Sequence, residues 1–216
     1  MNAREEILAR VRSALVDVTQ PDPVLDVPID WEYGRPVAMP DVLDRFVEMC
    51  EDYKATVVRC GSAEVPGRVA VLLTGAGVRS VVLPARLEPS WRQAVEAAGV
   101  AIHDDEPPLS RTELDAIDGV VTAAAVGIAE TGTIVLDHAS DQGRRALTLV
   151  PDTHLVVVRS DQVVPSVPEA VVRLSGAVAE GAALTWISGP SATSDIELSR
   201  VEGVHGPRNL LVLLVE

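Results

Sequence analysis

Lysine is almost absent from this 216-residue chain: Lys54 is the only one, and every other strong base is an arginine. We read that preference as coding bias rather than function. It still leaves Lys54 as the sole candidate for lysine chemistry, and its setting, EDYKAT, reads as a solvated helix end. Aromatic residues make up only 3% of the chain against 47% hydrophobic residues overall. The core must therefore be built from Val, Leu, Ile and Ala. Cysteine is scarce as well. Cys50 and Cys60 cannot supply the four thiolates of an iron–sulfur cluster, nor do they form a C-x-x-C redox pair, so we expect two reduced thiols in a cytosolic protein. Clustered basic residues are missing, and the net charge of −14 argues against a nucleic-acid or anionic-membrane surface. No run approaches a membrane span. The N-terminus, MNAREEILARVRSALVD, lacks the apolar centre of a signal peptide. These absences lead to an expectation of a soluble cytoplasmic protein with no nucleic-acid partner.

What is present has a clear rhythm. Residues 2–17 read as an amphipathic helix, with Ile7, Leu8, Val11, Ala14 and Leu15 on one face. The next stretch, TQPDPVLDVPIDWEYGRPVAMP, holds five prolines in 22 residues and reads as an extended lead-in. We therefore divide the chain into 1–40, a helix with a Pro-rich strap, and 41–216, an α/β domain. From Asp41 onward, helical segments alternate with short Val-rich strands such as RSVVLP and THLVVVR, the pattern of βαβ units on a mainly parallel sheet covered on both faces. DVLDRFVEMCEDY should be a helix capped by Asp41. DGVVTAAAVGIAETGTIVLD should be two strands joined by a tight turn. ALTWIS should be a strand, SDIELSRV a helix and NLLVLLVE a final strand. Ligands of such sheets sit beyond the carboxyl ends of the strands, and the segments leaving TAAAVG and TWIS carry the most polar punctuation.

In GPSATSDIE, Ser194 and Glu197 fit an S-x-x-E capping box, with Asp195 suited to the first turn. That structural reading leaves GPS unexplained. Gly189 permits close backbone approach, and Ser191 and Thr193 add hydroxyls beside a helix start, a combination that can cradle a phosphate or carboxylate. In AVGIAETGTIVLD, Glu130 follows a strand of small residues and precedes a Gly turn. It is either a surface turn glutamate or a general base or nucleophile at a strand end. His205, between glycines in VEGVHGP, either carries a proton or holds a turn. Asp137 and His138 are neighbours that a strand would point to opposite faces, and we find no convincing metal site.

Four segments, GIAETGTIVL, GRRALTLVPDTHLVVV, VVPSVPEAV and GPSATSDIELSRVEGVHGP, in this order, resemble the LUD-domain family of lactate utilization proteins. The resemblance covers nearly the whole chain. It implies a fold similar to the NagB/RpiA/CoA-transferase group, and a role with iron–sulfur partner subunits in oxidising L-lactate to pyruvate. In the related CoA transferases a glutamate near a strand end attacks the acyl group, and Glu130 lies in an A-E-T-G-T run at a similar place. Ala192 stands where a basic residue would strengthen an anion site. The resulting expectation is a non-redox component without a cofactor of its own, binding a small carboxylate or other anion. Its candidate catalytic residues are Glu130 and His205, and its candidate ligand contacts are Gly189, Ser191, Thr193 and Thr131. All are expected in one pocket at the carboxyl edge of the sheet. Two rival readings stand beside it: a free-standing CoA-transferase-like or phosphosugar-isomerase-like enzyme, and a regulatory protein that senses lactate.

Overall fold

A computed structural model of the chain describes residues 2–20, 22, 25, 34–193, 201–202 and 206–216, with only the backbone of 192, 193, 201 and 202. The chain divides into two units, Met1–Arg35 and Pro36–Glu216. In the first, α1 (Ala3–Ala14) begins with a reciprocal cap: the Asn2 side chain accepts from the Glu5 N–H, and the Glu5 carboxylate accepts from the Asn2 N–H, both at 2.9 Å. No residue of α1 is buried.

The second unit opens with α2 (Val42–Asp52), which buries Phe46 and Cys50. Asp41 occupies its N-cap position, but its side chain makes no cap hydrogen bond, contrary to the expectation. Strand β1 (Thr56–Cys60), α3 (Val65–Gly75), β2 (Ser80–Leu83), α4 (Pro89–Ala97) and β3 (Ala101–Asp104) then alternate as the sequence pattern predicts. Pro66 and Pro89 sit at the starts of α3 and α4, where a missing N–H costs nothing. A short helix, α5 (Arg111–Asp115), precedes β4 (Gly119–Ala123). After β4 come β5 (Val126–Ile128), β6 (Thr133–Leu136), β7 (Thr153–Arg159), β8 (Val163–Val164), α6 (Val167–Ala179), β9 (Thr185–Ile187), β10 (Ala192–Thr193), β11 (Val201–Glu202) and β12 (Asn209–Val215).

Six strands form a parallel sheet in the order β1-β12-β7-β4-β2-β3. Its centre is long and in step: β12 pairs with β7 from Asn209↔Thr153 to Val215↔Arg159. Alternate residues of these strands feed two cores. Leu155, Val157, Val121 and Leu213 lie under Val69 and Leu73 of α3 and Val95 of α4. Val156, Val158, Val212 and Leu214 lie on the other face with Phe46 and Cys50 of α2. Both faces are covered, which is why these strands read as unbroken aliphatic runs.

The segment 119–136 departs from the expectation, because it makes three strands rather than two. The small residues Ala123 to Ala125 let the chain leave the parallel sheet: the Ala123 N–H donates to Asp141 O, and the Ala125 N–H donates to Val135 O. Strands β5 and β6 then join a second, four-stranded sheet, β8-β5-β6-β9, in which β6 is antiparallel to both β5 and β9. The ALTWIS strand, β9, therefore does not belong to the parallel sheet. Val126, Ile128 and Val135 pack under Ala170 and Leu174 of α6, while Ile134 and Leu136 join the core beside Phe46. Strands β10 and β11 pair antiparallel, Ala192↔Glu202 and Thr193↔Val201. The helix expected over 194–200 lies outside the described residues. Among those described, no helix is long and apolar enough to cross a membrane.

Candidate functional site

The two punctuated motifs do converge, but on the end of a helix. Helix α2 stops at Tyr53 and Lys54, the latter with φ of 72°, and the chain enters β1. Gly132, in the turn between β5 and β6, is pressed against that last turn. A Cβ there would stand 2.6 Å from the Met49 carbonyl carbon and 2.7 Å from the Cys50 nitrogen. The Cys50 thiol donates to the Gly132 carbonyl at 3.4 Å, and burial pushes its pKa up to about 12, so it stays a neutral thiol. Gly189 makes the same approach from β9: a Cβ would meet the Tyr53 carbonyl oxygen at 2.7 Å. Hydroxyls link the two turns, Thr131 to Thr133 at 2.8 Å and Thr133 to Ser188 at 2.8 Å. The Ser191 N–H donates to the Pro207 carbonyl at 2.8 Å.

Tyr53 precedes β1 and Pro207 precedes β12, so this junction lies at the amino edge of the parallel sheet. The carboxyl-edge placement expected for these motifs is thus overturned. The reason is topological: β9 runs antiparallel to β6 in the second sheet, a connection that residue pattern does not reveal. Glu130 is exposed on the turn, its N–H donating to the Pro165 carbonyl at 3.0 Å. Thr131 is half-buried, and so is Ser191. Thr193 is placed by its backbone, paired with Val201. His205, Ser194, Asp195 and Glu197 lie outside the described residues.

The carboxyl edge holds a different set of groups. A cavity of about 630 Å³ opens there, with Ala123, Val157 and Val215, at the ends of β4, β7 and β12, among its apolar lining. Its position follows from chain direction. Strand β2 connects outward to β3, while the path from β4 leads the other way to β7, a reversal of strand order beside which α/β sheets take their ligands. One wall is Ser62 and Ala63 in the turn before α3 with Val65 and Pro66 at its start, and another is the run from Arg86 to Trp91 leading into α4. Both helices point their amino ends, and with them the positive end of the helix dipole, at this edge.

Two guanidinium groups line the cavity, Arg86 and Arg159. Arg159 meets Asp161 at 3.3 Å with both side chains well exposed, a contact worth at most about 1 kcal/mol. Arg86 is exposed, and its side chain makes no ion pair or hydrogen bond among the described residues, while its N–H donates to the Ser140 carbonyl at 3.2 Å. Asp141 contributes to the same lining. Neither arginine nor Asp141 was singled out from sequence. The available signal was modest: LPARLEPSW is a loop that directly follows a strand and enters a Pro-started helix.

A neighbouring cavity of about 690 Å³ is bounded by a braced loop. Arg144 grips Asp105 with two hydrogen bonds, at 2.6 and 2.8 Å, and donates to the Leu109 carbonyl at 2.7 Å. Burial raises the Asp105 pKa, but the Arg144 hydrogen bonds, the Leu109 N–H and the Arg144 charge outweigh it and hold the carboxyl below its ordinary range. His138 bridges Gly143 O through Nδ1 at 2.9 Å and the Thr185 hydroxyl through Nε2 at 2.8 Å. A carbonyl only accepts, so in the neutral ring Nδ1 carries the proton and Nε2 accepts from Thr185. His154 is buried between strands, bonded to Thr122 at 2.8 Å, and burial pulls its pKa down to about 3. It is not a proton carrier at neutral pH. No group of three or more His, Cys, Asp or Glu side chains suited to a metal ion occurs among the described residues.

Residues 43–215 match the family model described as LUD domain. Lactate utilization protein C of Deinococcus radiodurans is 45% identical over 213 residues, covering 99% of this chain and 95% of that protein. Lactate utilization protein C of Geobacillus thermodenitrificans is 26% identical, covering 93% and 88%. Among solved structures, a DUF162 family protein from Deinococcus radiodurans superposes with a TM-score of 0.71 at 44% identity, covering 84% of this chain and all of that one.

Proposed function

The chain belongs to the LUD-domain family, and on that premise we propose that it acts in lactate utilization as a non-redox component that binds a small carboxylate at the carboxyl edge of its parallel sheet. Its part in lactate utilization is supported by near-full-length identity to a relative of that name. The binding site rests on one observation: Arg86, with no ion-pair partner among the described residues, lines a cavity between two helix amino ends. A guanidinium offers paired N–H donors that match the two oxygens of a carboxylate, and each charge-assisted bond contributes roughly 1.5–3 kcal/mol. Helix dipoles add favourable potential at the same place.

The electrons of lactate oxidation belong to other subunits in this proposal. Cys50 and Cys60 sit in separate core clusters on opposite faces of the sheet, so they offer no shared ligand set. Iron–sulfur partner proteins would accept the electrons, with this chain presenting or retaining the acid. Glu130 and His205 as catalytic residues, and Gly189, Ser191, Thr193 and Thr131 as ligand contacts, form a separate proposal.

The test is a deletion strain of the native host, complemented with the wild-type chain or with Arg86→Ala. Wild type should restore growth on L-lactate and co-purify with cysteine-rich iron–sulfur proteins. Arg86→Ala should keep its partners and its melting temperature but grow poorly on L-lactate. Full growth with Arg86→Ala would remove the cavity from the proposal.

A further inference from the structure

We propose that α1 is a self-association arm, which pairs antiparallel with the α1 of a second copy of this chain. Every residue from Asn2 to Thr19 is exposed, and α1 buries nothing although a reciprocal cap closes its start. Along it, Ile7, Leu8, Val11 and Leu15 are 61%, 38%, 48% and 55% exposed. At the helical period these four fall within an arc of about 100°, one continuous apolar stripe. Single exposed apolar side chains need no explanation, but a continuous patch of them marks a contact surface. A helix of 12 residues is also marginal in water by itself.

The residues beside the stripe say what covers it. Glu5 lies in the first turn and Arg12 in the last, and being seven apart they share one flank. Ile7 and Ala14, also seven apart, share the other. Between the flanks, Leu8, Val11 and Leu15 keep the 3-4 spacing of a coiled-coil seam. When two such helices run antiparallel, like flanks meet. Glu5 of one copy then stands beside Arg12 of the other, and two-fold symmetry repeats the contact. On the second flank the large Ile7 meets the small Ala14, while Leu8 and Val11 interleave at the centre. Opposed helix dipoles favour the same arrangement. In a parallel pair unlike flanks meet, so Glu5 and Arg12 would face Ile7 and Ala14 and find no opposite charge. The pattern selects the antiparallel pair.

The other charges of α1 leave this contact open. Arg10 is held by Glu6 at 2.6 Å, away from the seam. Arg12 makes no ion pair or hydrogen bond among the described residues. Glu5 gives Oε2 to the cap and keeps Oε1 for Arg12 of the second copy. Arg4 falls on the seam line opposite Leu15, at the helix end, where its stem covers that leucine and its guanidinium reaches water. An arm about 18 Å long makes a small interface, so the pair should be reversible rather than permanent.

Analytical ultracentrifugation of the full chain tests this, with wild type, Leu8→Asp, Glu5→Arg and Arg12→Glu. All three substitutions fall on exposed positions and should leave the unfolding curve unchanged. Wild type should pass from monomer to dimer as concentration rises, and Leu8→Asp should stay monomeric. Glu5→Arg and Arg12→Glu should each weaken pairing by about 5-fold or more, because two ion pairs become two repulsions. An equimolar mixture of those two variants should dimerise more tightly than either alone, since each copy then meets its complement. Glu5→Arg still lacks its cap in the mixture, so the recovery reports the charge match and not helix strength. A single monomeric mass up to about 1 mM chain would overturn the proposal, and so would a dimer indifferent to Leu8→Asp. Charge variants that pair as wild type does, or a mixture no tighter than its components, would overturn the antiparallel arrangement.

Discussion

Replacing Gly132 by alanine should destabilise the protein by about 2–5 kcal/mol, through two effects that the structure separates. The first is conformational. Gly132 has φ of +60°, and an L-residue held there costs about 1–2 kcal/mol. The second is steric. The new methyl would stand 2.6 Å from Met49 C, 2.7 Å from Cys50 N and 2.8 Å from Met49 O, all backbone atoms of a helix that cannot swing aside. Overpacking against fixed atoms costs about 1–3 kcal/mol. Gly77 is the control: its φ is +74°, but a methyl there meets nothing within 4 Å, so Gly77→Ala carries the first term alone. Urea unfolding of the full chain should place Gly132→Ala about 1–3 kcal/mol below Gly77→Ala, and thermal unfolding should lower its midpoint by about 4–20 °C. If the two variants agree within about 0.5 kcal/mol, Gly132 is not a packing residue. The A-E-T-G-T turn would then regain its claim as a ligand loop.

Three further outcomes follow from the same geometry. His154 has a folded pKa of about 3, below that of an unfolded histidine near 6.5. Its neutral burial therefore contributes stability that is complete above pH 6.5 and declines as pH falls toward 3. Denaturant midpoints measured across that window should fall less steeply in a folded His154→Gln variant, and an unchanged slope would contradict the assignment. Phe46→Ala should cost about 3–5 kcal/mol, because the ring is fully buried and a Cβ on Gly127 would approach it at 3.1 Å; a loss under 1 kcal/mol in urea unfolding would show that α2 packs loosely. Glu130→Gln should leave L-lactate growth intact if Glu130 is only a turn residue, whereas loss of growth with unchanged stability would revive it as a catalytic carboxylate.

Much of the framework is legible in the residues, since Val-rich runs flanked by Gly and Pro mark the parallel strands and Pro66 and Pro89 mark helix starts. The second sheet is not. TIVL is buried on both faces, between α6 and the core around Phe46, so β6 shows no alternation and resembles a parallel strand. Strand β8 is two residues long and leaves no pattern at all. The motifs themselves are visible as loops. The edge they occupy depends on β9 running antiparallel to β6, and hydrophobic periodicity carries no direction. Arg86 and Asp141 escape for a related reason: 55 positions apart in sequence, they meet through the bond between Arg86 N and Ser140 O, a contact made by backbone rather than by residue type.

The most direct test of the account is a titration of isotope-labelled protein with L-lactate, followed by backbone amide shifts. Saturable changes should concentrate at Ser62, Arg86 to Trp91, Asp141 and Arg159, with Glu130 to Thr133 and Ser188 to Ser191 left unmoved. Changes concentrated at 130–133 and 188–191 instead would place the acid at the amino edge and contradict the central claim.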